Sequence, residues 1–245
     1  EACEYTNSFL SFFPTIEVIL NIEADHLDFF KDLEDIRCSF GKFAARLPED
    51  GLLIMDGTID RPEELTKGLS CRVVTVGHGA DGDYGATDLT YDELGRPSFL
   101  LMKKGIPAEK IRLGVPGEHN VYNALAAIAV AEALGVSMGA IGAGLAGFKG
   151  TERRFEKKGE VGGITIIDDY AHHPQEIAAT LKTARHYPHK KLWCVFQPHT
   201  YSRTKALLED FAKELAAADE VVLAGIYAAR ETDTLGISSE DIAER

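Results

Sequence analysis

Short runs of aliphatic and β-branched residues alternate along this chain with longer stretches whose apolar positions recur every three or four residues. No other feature restricts the fold as much, because strand–helix–strand order selects a parallel sheet with helices packed on it. Ile16-Glu17-Val18-Ile19-Leu20 reads as a buried strand, and the helix after it carries Phe30, Leu33, Ile36, Phe40, Phe43 and Leu47 on one face. Residues 51–55 and 72–76 are the next two strands. From 77 to 115 the pattern changes: Gly77, Gly79, Gly82 and Gly85 punctuate turns, and runs around 88–91, 98–102 and 111–113 predict an antiparallel patch. Helices follow over about 120–134, rich in alanine, and 138–146. Phe148-Lys149-Gly150-Thr151 reads as a hinge, after which the alternation restarts with strand 163–168, helix 174–186, strand 192–196, helix 203–217 and strand 220–224. The expected fold is α/β in two parts, 1–149 and 150–245, the second wound like a dinucleotide-binding, Rossmann-like unit.

Charge and cysteines narrow the function. The 245 residues hold 26 Lys plus Arg against 39 Asp plus Glu, a net charge of −13, which argues against a sequence-independent grip on nucleic acid. It leaves room for phosphate ligands, which a local arginine or a helix N-terminus can hold. Cys3, Cys38, Cys71 and Cys194 form no C-x-x-C pair, so no sequence-local zinc knuckle or disulfide scaffold is expected. Reduced thiols, no signal peptide and no apolar run long enough for a membrane fit a cytoplasmic protein. The chain opens at Glu1 without methionine and ends at Arg245 inside what reads as the start of a helix, as expected of an interior piece of a longer protein.

In open parallel sheets, ligands sit beyond the carboxyl ends of the strands. Four polar clusters fall there. Asn21-Ile22-Glu23-Ala24-Asp25-His26-Leu27-Asp28 offers carboxylates and an imidazole to a divalent metal, although capping acids at a helix start explain the same residues. His119 and Asn123, four apart, share one side of a helix start and can hydrogen-bond a nucleobase edge; a simple cap by Asn120 is the alternative. Arg153 and Arg154 at the hinge match phosphate oxygens, or pair in solvent with Glu152 or Glu156. The fourth cluster joins Asp168-Asp169-Tyr170-Ala171-His172-His173-Pro174 to Phe196-Gln197-Pro198-His199-Thr200-Tyr201-Ser202-Arg203. Two acids, three imidazoles and an arginine on one rim are hard to explain as packing. The chain contains no G-x-S-x-G, H-E-x-x-H or G-x-x-x-x-G-K-[ST] motif.

Taken in order, these clusters resemble the Mur ligase family. The resemblance rests on Glu1-Ala2-Cys3-Glu4-Tyr5 with Ser8-Phe9-Leu10, Asn21 to Asp28, His119 to Ala124, Arg153-Arg154-Phe155, Asp168 to Pro174, Phe196 to Thr204, and Ile226 to Glu231. It implies an ATP- and Mg²⁺-dependent amide synthetase of peptidoglycan precursor assembly. Within the family, the Phe196–His199 and Asp168–Pro174 stretches point to the members that join L-alanine to UDP-N-acetylmuramate through an acyl phosphate. By resemblance, 1–149 is most of a central ATPase domain without its phosphate loop, and 150–245 is much of the Rossmann-like third domain.

The resemblance also implies roles. Glu1 and His26 would ligate Mg²⁺, His119 and Asn123 would contact adenine, and Arg154 would reach the ATP phosphates. Asp169 and Tyr170 would orient the nucleotide. His172, His199 and Arg203 would line the side where muramate and amino acid meet, with Arg203 on the L-alanine carboxylate. His26, Arg154 and His199 are thereby the expected catalytic residues. Cys3 stands where the family usually has Asp, and Thr200 where many members have Arg. The implied protein is a monomer or homodimer that binds neither nucleic acid nor membrane, and the 245 residues alone are expected to be inactive. Two other readings stay open: a murein tripeptide recycling ligase of the same family, and a metal-dependent hydrolase built on His172, His173, His199 and Asp169.

Overall fold

The computed structural model describes residues 2–27, 29–80 and 82–245, with the side chain of His78 also left out. The chain forms two compact units, one of residues 1–90, 98–113 and 119–147, the other of 91–97, 114–118 and 148–245.

The first unit opens with a 3-10 segment, Tyr5–Ser11, and then strand β1, Ile16–Ile19. Helix α1 runs Leu33–Ala44, β2 Leu52–Asp56, α2 Pro62–Thr66 and β3 Arg72–His78. Strands β4 (Tyr84–Tyr91), β5 (Pro97–Lys103) and β6 (Ile106–Arg112) precede helices α3 (His119–Ala133) and α4 (Met138–Gly147). The six strands make one mixed sheet in sequence order. β1, β2 and β3 are parallel, and every residue of β2 is buried, as expected of an apolar strand covered on both faces. Leu53 and Met55 of β2 pack with Ile19, Ala44, Ile59 and Leu65 into one core.

Three expectations for this unit need adjusting. Helix α1 starts at Leu33, after Phe30, because Asp32 is its cap and accepts the Asp35 N–H at 2.9 Å. The short helix α2 was not foreseen. The antiparallel pairing of β5 and β6 is present, but β4 begins at Tyr84 and runs parallel to β3 after a very short return. Asp83 holds that return: its N–H donates to Thr75 O at 3.0 Å and its carboxylate accepts the Thr75 N–H, also at 3.0 Å. Gly82 sits in the turn at φ +83, where a Cβ would lie 3.1 Å from Thr75 Oγ1.

In the second unit, β7 (Glu156–Val161) pairs antiparallel with β8 (Ile164–Asp168). Helix α5 spans Pro174–Ala184, followed by β9 (Trp193–Phe196), α6 (Tyr201–Ala206), α7 (Leu208–Leu215), β10 (Glu220–Leu223) and α8 (Ser239–Ala243). β9 and β10 are parallel. Ile177, Leu181, Phe196, Phe211, Leu215 and Ile242 form the core beneath them. The sequence reading missed β7, whose exposed, charged residues lack an apolar face, and so assigned β8 to the β9 sheet. Among the described residues β8 pairs with β7 instead, in a separate two-stranded sheet. The expected helix 203–217 divides at Leu207, which leaves helical geometry at φ −115, ψ 25.

Glu17 of β1 is 3% exposed, and neither carboxylate oxygen has a hydrogen-bond partner. Burial pushes its pKa up to about 7 from an ordinary 4.5. Between those values the folded chain keeps a proton that the unfolded chain has released. Stability is therefore lost as pH rises from about 4.5 to 7 and stays low above that, by up to about 3 kcal/mol. Glu17→Gln is expected to match the wild type at pH 4.5 and to be more stable at pH 8, read by urea unfolding at both. Equal pH dependence in the two proteins would show that Glu17 ionises without cost.

Candidate active site

In the first unit, His26 takes a left-handed backbone, φ +53, in the loop after β1, a conformation that costs energy outside glycine. Its ring lies 4.5 Å from that of Tyr5, and its Nε2 is 3.4 Å from Glu4 Oε1 and 3.9 Å from Asp25 Oδ2. Glu1 and Asp28 lie outside the described residues. Among the described residues no three His, Cys, Asp or Glu side chains gather closely enough to hold a metal ion. Mg²⁺ keeps several waters and takes only one or two protein carboxylates, so the Glu4 and Asp25 oxygens beside His26 suit its preference for oxygen ligands. His119 and Asn123 stand exposed on the first turns of α3. Asn120 joins them: its Nδ2 is 3.2 Å from His119 Nε2, and its Oδ1 accepts from Asn123 Nδ2 at 3.0 Å.

In the second unit, Arg154 is displayed between two left-handed residues, Arg153 at φ +57 and Phe155 at φ +50. That turn is tied on both sides. The Phe155 N–H donates to Asp169 Oδ2 at 3.0 Å, the Tyr170 N–H to Arg153 O at 2.8 Å, and the Arg153 N–H to Glu156 at 3.0 Å. This last bond and Lys158 hold the Glu156 carboxyl below its usual range. The Arg154 guanidinium rests 3.6 Å from Glu176 and 6.0 Å from the Tyr170 ring.

Pro174 opens α5, where its missing N–H leaves nothing unpaired, and His173 caps it. Glu176 closes the cap by accepting the N–H groups of His172 at 2.8 Å and His173 at 3.1 Å. From there aromatic rings run in series: Tyr170 to His172 at 5.2 Å, His172 to His199 at 5.9 Å, His199 to Tyr227 at 5.6 Å. His199 Nδ1 is 3.2 Å from Arg203 Nη1. A cavity of about 600 Å³ runs along this series, bounded by β8, α5 and β9 and lined by Asp169, Tyr170, His172 and His199 among others. That size suits a small organic ligand. Cys194 also lines it, and burial pushes this thiol up, so it offers no thiolate at neutral pH.

The second unit thus brings Arg154, Tyr170, His172, His199 and Arg203 into one line of contacts. Asp169 serves that line differently from expectation, spending one oxygen on the Phe155 N–H and the other on the Ala171 N–H at 2.8 Å. The hydrolase set does not converge: Asp169 is engaged with backbone, and His173 Nδ1 accepts the Gln175 N–H at 3.4 Å as a cap. Glu176 has no part in the sequence expectations, and Glu4, Tyr227 and Glu231 enter them only within motifs that carry the family resemblance, with no role attached. His173-x-x-Glu176 has capping-box spacing, but histidine in the first position hides it.

A model of the Mur ligase middle domain matches residues 4–131, and one of the Mur ligase glutamate ligase domain matches 153–245. The chain belongs to the Mur ligase family. A UDP-N-acetylmuramate–L-alanine ligase of Lachnospira eligens is 61% identical over all of this chain and 54% of its own length. The crystal structure of the UDP-N-acetylmuramate-alanine ligase MurC of Thermotoga maritima aligns with a TM-score of 0.73 and 32% identity, over 90% of this chain and 48% of that one. A murein peptide ligase of Psychrobacter arcticus aligns at 0.63 and 27%, over 88% and 45%. The chain therefore spans about half the length of the curated relatives it matches.

Removing the second half of the α5 cap has a measurable consequence. Glu176→Ala is expected to lower unfolding stability by about 1 kcal/mol, and Glu176→Gln, which keeps an acceptor, by less. Denaturant melts of the three proteins check this; equal midpoints would remove the cap.

Proposed function

We propose that the full protein joins L-alanine to UDP-N-acetylmuramate at the expense of ATP, as a step of peptidoglycan precursor synthesis in the cytoplasm. The observation that carries this reading is identity along the whole chain with ligases named for that reaction, combined with the His172–His199–Arg203 grouping. In this reading 1–149 belongs to the central ATP-binding domain and 150–245 to the Rossmann-like ligase domain.

The reaction suits the side chains. The muramate carboxylate attacks the γ-phosphorus, ADP leaves, and the amine of L-alanine attacks the acyl carbon. Phosphate departs with the electrons of the C–O bond and the nitrogen loses a proton. Arg154 would meet the transferring phosphoryl oxygens, and Arg203 the carboxylate of the incoming amino acid. His172 and His199, within ring contact of each other, would contact the muramate and alanine groups from the cavity wall. His119 and Asn123 would face adenine, and Tyr170 would orient the nucleotide. Glu1 and His26 would hold Mg²⁺, whose charge would offset that of the phosphates.

In the full-length enzyme, Arg203→Ala is expected to raise the KM for L-alanine roughly ten- to a hundredfold, the cost of one hydrogen bond to a charged group. The KM for ATP should stay close to wild type. Unchanged alanine saturation would remove the assignment, and release of phosphate with a murein tripeptide in place of L-alanine would favour the recycling ligase. His26→Ala is expected to raise the Mg²⁺ concentration needed for half-maximal rate; an unaltered Mg²⁺ titration would take His26 out of the metal site.

A further inference from the structure

We propose that Glu231, in the loop after β10, is a positioning residue that sets the His199–Arg203 pair, an inference that rests on the ligase reading above. The pair brackets Thr200, the cap of α6, whose backbone lies at φ +66, ψ 144. A residue with a Cβ holds that conformation only where its surroundings enforce it. The Thr200 side chain caps weakly, accepting the Arg203 N–H at 3.4 Å. Stronger restraint comes from some thirty residues away. Glu231 accepts the Tyr201 N–H at 2.5 Å, the Ser202 N–H at 3.1 Å and the Ser202 hydroxyl. These are first-turn donors that no helical carbonyl can satisfy. The same loop completes the grip through Tyr227, whose carbonyl accepts the Thr200 N–H and whose N–H donates to Pro198 O, both at 2.8 Å. The loop is itself strained at Ala229, φ +52. Glu231 does not line the cavity, so it acts through the pair. Turning the Thr200 peptide would break the 3.2 Å contact between His199 Nδ1 and Arg203 Nη1.

The test uses Glu231→Ala and the isosteric Glu231→Gln in the full-length enzyme, beside Arg203→Ala. Glu231→Ala is expected to raise the KM for L-alanine about tenfold, leaving the KM for ATP unchanged, with Glu231→Gln in between because it retains one acceptor. Amide resonances of Tyr201 and Ser202 should shift upfield in both as their charged acceptor is lost. If Glu231→Ala does not fold, Glu231→Gln and its amide shifts carry the test. A folded variant with wild-type alanine saturation, while Arg203→Ala is impaired, overturns the positioning role alone. If Arg203→Ala is also unimpaired, the ligase reading of this site fails first.

Discussion

Three carboxylates that accept backbone N–H groups hold the rim of the second unit together. Asp169 takes those of Phe155 and Ala171, Glu176 those of His172 and His173, and Glu231 those of Tyr201 and Ser202. Loops beyond strand ends have no ladder to satisfy their amides, and an amide left without a partner costs as much as a lost hydrogen bond. A carboxylate offers several acceptor sites at once and binds more strongly than a neutral oxygen. Glu231 and Asp169 also join segments distant in sequence, so each loop's shape depends on another's. The imidazoles and guanidinium groups are placed by acids that are themselves bonded to backbone N–H groups.

The same loops carry backbone strain. Arg153, Phe155, Thr200 and Ala229 all take positive φ, and each lies within two residues of one of these carboxylate bonds or of Arg154. Beneath them α5, α7 and the end of β9 supply the buried core, with Phe196 and Phe211 packed together. The arrangement divides the work: strands and helices supply rigidity, and strained, cross-linked loops display the imidazoles and guanidinium groups.

The sequence made the parallel first sheet legible because β1 to β3 are apolar runs of the right length between helical periods. It made the candidate site residues legible because acids, imidazoles and arginines crowd the ends of such runs. It hid β7, whose residues Glu156-Lys157-Lys158-Gly159-Glu160 alternate nothing apolar with anything polar, so its pairing with β8 is decided by the turn at Gly162-Gly163 and not by a buried face. It hid the break at Leu207, because helical periodicity continues across it. Of the acids that fix the loops, Asp169 stood out in the sequence, but as a nucleotide contact, and Glu176 and Glu231 carried no role there. Glu231 matters through bonds to residues about thirty positions earlier, and no local pattern reports a contact at that separation.

Arg154 illustrates how such a site can be both ordered and available. Its pairing with Glu176 at 3.6 Å joins side chains 51% and 35% exposed, and an exposed ion pair contributes only about 0–1 kcal/mol. The Tyr170 ring, 6.0 Å away, adds about 0.5–1 kcal/mol at such a site. A phosphoryl group offers two parallel hydrogen bonds to the guanidinium, each worth about 1.5–3 kcal/mol as a charged bond. Exchange of Glu176 for a phosphate would therefore cost Arg154 little in its present contacts. It would also leave nothing stranded, since Glu176 keeps its two bonds to the α5 cap and the turn around Arg154 stays pinned by Asp169 and Glu156. The chain's net charge of −13 opposes this little, because exposed charges more than about 8 Å away are screened at physiological salt. The local cation, held in place by backbone bonds and lightly held by its ion pair, is what this turn presents.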